Sequence, residues 1–184
     1  MFKRKARVIG IDDAPFKKGI NMSTTLVMVL YRLDFIVEKV IAGKIEVDGS
    51  DATDAIIGMF RKLSISTAEA FITEGVTLGG FNIPSIRDIH AETGIPFISY
   101  VRRPPDIPAM EKALGKINNN VSLANLRSLK LEPVNIGNEV IYLNLEGIGK
   151  EEALSLLLAS TRTGKTPEPV RLSHLIASGL ANCY

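Results

Sequence analysis

The stretch Arg7-Val8-Ile9-Gly10-Ile11-Asp12-Asp13-Ala14-Pro15-Phe16 carries the most informative chemistry in the chain. Val8, Ile9 and Ile11 favour a buried strand, and two adjacent carboxylates follow at once. Carboxylates are costly inside a core, so Asp12 and Asp13 are expected at the strand's exit, where alternation sends one into a crevice and the other away from it. A central strand that delivers a carboxylate to a sheet's edge is a common way to hold a metal ion. Asp and Pro are also ordinary turn residues, so a plain acidic turn is the alternative. Two other acidic places stand out. Asp48-Gly49-Ser50-Asp51-Ala52-Thr53-Asp54 packs three carboxylates closely, and helix capping by Ser50 or Asp51 accounts for some of them but hardly all. Glu74-Gly75 ends a short apolar segment. The basic residues Lys3, Arg4, Lys5 and Arg7, and the pair Arg102-Arg103, suit phosphate contacts or merely solvate strand ends.

The elements that must position these groups follow from periodicity. Ser23–Arg32 and Phe35–Val47 read as two long strands after the first, the latter bent or bulged at Gly43. Short connections favour antiparallel pairing of all three. Ile56, Ile57, Phe60 and Leu63 recur at helical spacing. Ala70–Val76 reads as a buried parallel strand, Thr77–Asn82 as a glycine-containing loop, and Ile83–Thr93 as a helix closed by Gly94. Pro96–Arg103 is a further strand, stopped by Pro104-Pro105. Ile107–Lys116 is a helix and Asn118–Asn120 a loop. A hairpin around Gly137-Asn138 joins Leu129–Asn135 to Glu139–Asn144. Lys150–Thr161 is a leucine-rich helix. Thr166-Pro167-Glu168 opens a last helix, with a capping oxygen and a proline at its first position.

Three antiparallel strands, then helix, strand, helix, strand, is the order of a ribonuclease H-like α/β domain, a mixed sheet flanked by helices. In that order the fourth strand lies beside the first and parallel to it, and the crevice between their ends collects carboxylates.

The totals agree. A chain of 184 residues with 46% hydrophobic content is expected to form one domain, residues 1–184, with a sizeable core. A net charge of +2 gives no overall basic field, which leaves room only for local basic patches. The lone cysteine, Cys183, cannot pair within the chain, and no Cys/His zinc spacing is present. A reducing, cytoplasmic setting is expected. The early turn to acidic residues argues against a signal peptide, and no apolar run is long enough to span a membrane.

Four motifs together resemble the archaeal family known as domain of unknown function 99: Ile9–Phe16, Val47–Thr53, Gly80-Phe81-Asn82, and Pro167–Ala177 with its Pro-Glu-Pro-Val-Arg-Leu-Ser-His run. The resemblance spans nearly the whole chain. That family is similar to endonuclease V, a ribonuclease H-like nuclease that uses Mg²⁺ to cut one strand. The resemblance implies that Asp12, two residues after Gly10, is the first-strand carboxylate. Asp54, or Asp51 in its place, would be the carboxylate that opens the helix, and Glu74 the one that ends the fourth strand. His174 matches a His or Asp of the last helix. It follows that Asp12, Asp54, Glu74 and His174 are the expected catalytic residues. Asp12, Glu74 and Asp54 would be ligands of Mg²⁺ or Mn²⁺, while Arg102, Arg103 and Arg171 would contact phosphates of RNA or DNA. Asp13, Asp48, Asp51 and Asn82 are secondary candidates, with Asp48 and Asp51 expected to brace the glycine turn.

The departures limit what carries over. Asp and Glu are exchanged at two positions, which changes reach by about an ångström in a site that demands near-ideal geometry. The enzyme's tyrosine-proline wedge is absent, and its glycine-histidine loop is replaced by Thr77–Asn82. Its lysine after the fifth strand has only Arg102 as counterpart. Recognition of deaminated bases therefore does not transfer. The expected function is a metal-dependent nuclease or other phosphodiester-acting enzyme. The alternative is a nucleic-acid-binding protein on a degenerate nuclease fold. A nucleotide-binding, actin-like role ranks last, because such proteins use two domains of this kind. The oligomeric state stays open, with a dimer as one option.

Overall fold

The computed structural model describes residues 2–137 and 139–181. Cys183 and Asn138, the centre of the expected hairpin, lie outside the described residues.

A seven-stranded sheet forms the middle layer. Its strands are β1 (Arg7–Asp13), β2 (Ser23–Arg32), β3 (Ile36–Glu46), β4 (Phe71–Glu74), β5 (Phe97–Val101), β6 (Glu132–Ile136) and β7 (Glu139–Glu146), in the spatial order β3-β2-β1-β4-β5-β7-β6. The first three strands pair antiparallel, as expected. β1, β4 and β5 run parallel, and β7 and β6 extend the sheet antiparallel.

Alternation along β1 splits its apolar residues between two cores. Val8 joins Val29, Ile72, Ile98 and Leu143 on one face, covered by α5 (Lys150–Ser160) and α6 (Glu168–Ala181). Ile9 and Ile11 join Met28, Phe71 and Phe97 on the other, covered by α1 (Ala52–Leu63) and α2 (Ile86–Thr93). Val8, Ile9 and Ile11 are fully buried, each worth about 1.5–3 kcal/mol. A strand buried on both faces is the rigid element from which a site can be built.

Three details differ from the sequence expectations. The bulge lies opposite Leu30/Tyr31, not at Gly43: the register steps from Leu30↔Lys39 to Tyr31↔Val37 and leaves Glu38 as the extra residue. Glu38 is thereby aimed at Arg7 (2.6 Å) and Arg32 (3.6 Å). Gly43 keeps regular register, and its place is explained by Met59 of α1, whose sulfur would lie 3.0 Å from an added Cβ. α2 begins at Ile86, three residues late, because Pro84 disfavours helix at Ile83 and Ser85 caps by accepting from the Asp88 N–H. Its end at Gly94, with φ +70°, is where it was expected. After α3 (Ile107–Lys116), the expected loop contains the cap of a further helix, α4 (Asn120–Arg127), where Asn119 accepts from the Ser122 N–H at 3.0 Å.

Candidate active site

The end of β1 places its two carboxylates on opposite faces. Asp12 continues the Val8–Gly10 side and Asp13 the Ile9–Ile11 side. β4 runs beside β1 in parallel with Ile11 level with Thr73, so the next pair along the register is Asp12 and Glu74. Glu74 follows Ile72 on the same face. These two carboxylates end neighbouring strands above a common floor.

α6 forms the roof. It approaches β1 so closely that an added Cβ on Gly10 would lie 2.2 Å from the Pro169 carbonyl carbon. Glycine at this position permits the contact. The buried Ser173 hydroxyl lies 2.9 Å from both the Gly10 and Pro169 carbonyl oxygens and fixes the rotation of the helix. Arg171 and His174, three residues apart on one helix face, then line a crevice of about 330 Å³ together with Asp12, Glu74, Thr166 and Val170.

Within the crevice, His174 Nδ1 lies 2.7 Å from Asp12 Oδ2. Partial burial pushes the Asp12 carboxyl up from its ordinary range; His174 opposes the rise, and the charge of Glu74 adds to it. Glu74 Oε2 accepts from the Tyr100 hydroxyl at 2.8 Å and from Thr166 at 3.3 Å, and its Oε1 accepts from Arg102 Nε at 3.0 Å. Burial, then the charge of Glu74, holds the Tyr100 phenol far above its usual range. Arg102 also donates to the Lys165 carbonyl (3.1 Å) and to Thr166 (3.2 Å). Arg171 is held by Glu168 one turn earlier, at 2.5 and 2.9 Å. The crevice thus combines two carboxylates, an imidazole hydrogen-bonded to one of them, and two guanidinium groups at its wall and roof. Such a set can bind a cation, orient a phosphate and move a proton.

Not every expected residue is here. Asp54 is exposed in the first turn of α1, the helix that packs on the opposite face, so the expected convergence of Asp12, Asp54 and Glu74 is not present. Among the described residues, no three His, Cys, Asp or Glu side chains come close enough to hold one metal ion. Asp51 stands at the N-terminus of α1 but turns its side chain away, accepting from Asn82 Nδ2 (2.6 Å) and the Glu46 N–H (3.1 Å). Asp48 accepts from the Phe81 N–H at 2.8 Å and faces Lys18. Asn82 is fully buried and ties these loops together. Asp13 accepts from the Gly79 N–H on the far face, and burial followed by repulsion from Asp12 pushes its carboxyl up to about 6. Arg103 is exposed beyond β5 and is not among the residues lining the crevice. Tyr100 and Thr166 were not singled out by sequence reasoning. The spacing Ile98-Tyr100-Arg102 would have found Tyr100, since alternation puts it on the face of Arg102. Thr166 read as a helix cap, yet its hydroxyl serves Glu74 and Arg102.

Comparison with known proteins fits this geometry. The family model described as Endonuclease dU matches residues 4–181. A UPF0215 protein of Thermococcus kodakarensis is 35% identical over 184 residues, covering 97% of this chain and 93% of that one. The crystal structure of a protein of unknown function from Archaeoglobus fulgidus superposes with a TM-score of 0.83 at 34% identity, covering 96% and 98% of the two chains. Endonuclease V of Ciona intestinalis, in complex with DNA containing an inosine followed by a ribo-adenosine, superposes with a TM-score of 0.63 at 13% identity, covering 98% and 87%. The last likeness establishes an endonuclease V-like fold. Among the described residues, no helix is long and apolar enough to cross a membrane.

Proposed function

Because this chain belongs to the endonuclease dU family, an archaeal family with the fold of endonuclease V, we propose that it is a metal-dependent nuclease that cuts phosphodiester bonds at the Asp12–Glu74 crevice. The family's name points to deoxyuridine-containing DNA as the substrate. The observation that carries this reading is the Asp12–His174 pair beside Glu74, at the ends of two adjacent parallel strands.

Mg²⁺ takes one or two protein carboxylates and completes its shell with water and substrate phosphate. Asp12 and Glu74 meet that need with oxygen donors alone, and the elevated Asp12 carboxyl marks a place where a cation would relieve both burial and repulsion. They are the residues that would hold Mg²⁺ or Mn²⁺, which when bound would activate water and stabilise a leaving oxygen. Asp54 is not required for this reading.

The remaining roles fall to the chain's own side chains. With Nδ1–H donating to Asp12, neutral His174 keeps Nε2 free to accept a proton from an attacking water or to return it to a leaving oxygen. Asp12 orients that ring and stabilises it once charged. Arg171 and Arg102 present planar donors suited to phosphate oxygens, positioned by Glu168 and Glu74 respectively. Tyr100 keeps its proton at any working pH and holds Glu74 in place as a permanent donor.

A second reading, a nucleic-acid binder without turnover, draws support from one observation: both oxygens of Glu74 already have donors. The experiment that separates the two is a thermal melt and a cleavage assay, each with and without Mn²⁺, on the wild type and Asp12→Asn. A nuclease gives a Mn²⁺-dependent rise in melting temperature and Mn²⁺-dependent cleavage, and loses both in Asp12→Asn. The variant should melt slightly higher than the wild type without metal. A mere binder retains metal-independent affinity in both proteins and cuts nothing.

A further inference from the structure

A second cavity shares a wall with the crevice. It encloses about 120 Å³, and Tyr100 and Arg102, the two side chains that hold Glu74, form the common partition. Its other walls are apolar: Ile136 and Ile141 of the β6–β7 hairpin, Leu157 and Leu158 of α5, and Pro167. Glu139 and Lys165, also lining it, form an ion pair and are both well exposed to solvent. The recognition elements of endonuclease V that this chain lacks belong to other segments, so this cavity is not their counterpart. Nothing in the proposed chemistry of the crevice uses it.

We propose that this cavity receives a single pyrimidine base, turned out of the strand whose phosphate lies against Asp12 and Glu74. The proposal rests on the nuclease reading for the position of that phosphate. Three observations support a base as the occupant. The first is size: a dry cavity of about 150 Å³ takes one benzene ring, so about 120 Å³ suits one ring rather than two. The second is composition: two aliphatic walls suit the faces of a ring, and a pair of polar groups suits its edge. Lys165 offers donors and Glu139 offers acceptors side by side. The edge of a pyrimidine places one acceptor and one donor on adjacent atoms, at positions 3 and 4. The third is placement: a partition one side chain thick sets the ring beside the phosphate of its own nucleotide. Extruding a base costs a few kcal/mol, which contacts of this kind can offset.

The test measures affinity without metal, so that it does not depend on cleavage. Short labelled single-stranded DNAs carrying one deoxyuridine, deoxycytidine, deoxyinosine or abasic site in a fixed surround are titrated in EDTA and read by fluorescence polarisation. The wild type should bind one or both pyrimidine strands about tenfold more tightly than the abasic strand, and the inosine strand no better than the abasic one. Leu158→Trp, at an exposed position that tolerates size, should fill the cavity and abolish the difference. Glu139→Gln, which keeps shape and removes charge, should reduce it. Equal affinity for all four strands in the wild type overturns the proposal. So does a preference that survives intact in a folded Leu158→Trp. Should that variant fail to fold, an unchanged preference in Glu139→Gln overturns it instead. Cleavage with Mn²⁺ is scored separately. Pyrimidine preference without cleavage keeps the cavity's role and removes the nuclease reading, whereas cleavage without preference does the reverse.

Discussion

Two groups of carboxylates flank this sheet, and they differ in what holds them. Asp48 and Asp51, on the α1 side, accept from the Phe81 and Glu46 backbone N–H groups and from the buried amide of Asn82. Those donors cannot move without unfolding the loops that carry them. Asp12 and Glu74, on the α6 side, are held by His174, Tyr100, Thr166 and Arg102, all side chains facing a crevice. Such partners can rotate away or change protonation when a cation or phosphate arrives. The first group is fastening and the second is equipment. Local density of acidic residues does not tell them apart; the nature of the donor does.

The largest effect expected from breaking the second group is at Gly10. A methyl there would meet the backbone of Pro169 and Val170 at 2.2–2.6 Å, and backbone cannot swing aside as a side chain can. Gly10→Ala should therefore lift α6 and cost about 3 kcal/mol or more in a denaturant titration. It should also abolish any Mn²⁺-dependent stabilisation, because His174 and Arg171 leave the crevice with the helix. An unshifted unfolding midpoint would mean that α6 is not seated as described.

Next comes the loop group. Asn82 Oδ1 accepts from the Ala52 N–H at 3.0 Å, and its Nδ2 donates to the Glu46 carbonyl (3.1 Å) and to Asp51. Asn82→Ala strands a buried N–H, a carbonyl and a carboxylate, which should cost about 2–3 kcal/mol. The comparison becomes sharp in the metal response. Fastening predicts that the Mn²⁺-induced rise in melting temperature survives unchanged in the folded fraction. Its loss would return Asp51 or Asp54 to the site.

The sequence made the first group look more functional than it is. Asp48, Asp51 and Asp54 form the densest acidic run, yet the run sits at a strand-to-helix corner where carboxylates brace turns. The strand order and the meeting of Asp12 with Glu74 were legible, because two-residue alternation and a short apolar run fix both the face and the parallel neighbour. Asp54 was misplaced because a helix start reports a register along the chain and not which side of the sheet the helix covers. Tyr100 looked like core, and Thr166 like a cap, for a related reason: their polar ends are used by a residue far away in sequence. α4 carries little apolar periodicity, with Val121 exposed, so only its cap at Asn119 marked it.

The smallest effect tests the boundary between the groups. Asp13 adjoins Asp12 in sequence but accepts from the Gly79 N–H on the loop side, and its carboxyl is pushed from 3.8 up to about 6, first by burial and then by Asp12. Between those pH values the folded chain keeps a proton that the unfolded chain has released, so stability falls as pH rises through that window. Above it both states are ionised and the penalty is constant; below it the penalty is gone. The full rise corresponds to about 3 kcal/mol. Asp12 remains a neighbour in the unfolded chain and repels Asp13 there too, so about 1–2 kcal/mol is the expected net cost. Asp13→Asn keeps an oxygen for Gly79 and removes the charge. It should stabilise the protein by about that amount at pH 7, with the gain shrinking to nothing as pH approaches 4. Asp12, Asp34 and Glu168 also titrate with shifted values, but they are common to both proteins and largely cancel in the difference between the two melts. The Mn²⁺ response should persist in Asp13→Asn. Its loss, with the predicted stabilisation intact, would move Asp13 from the fastening group to the side of Asp12 and supply the second carboxylate of β1 to the site.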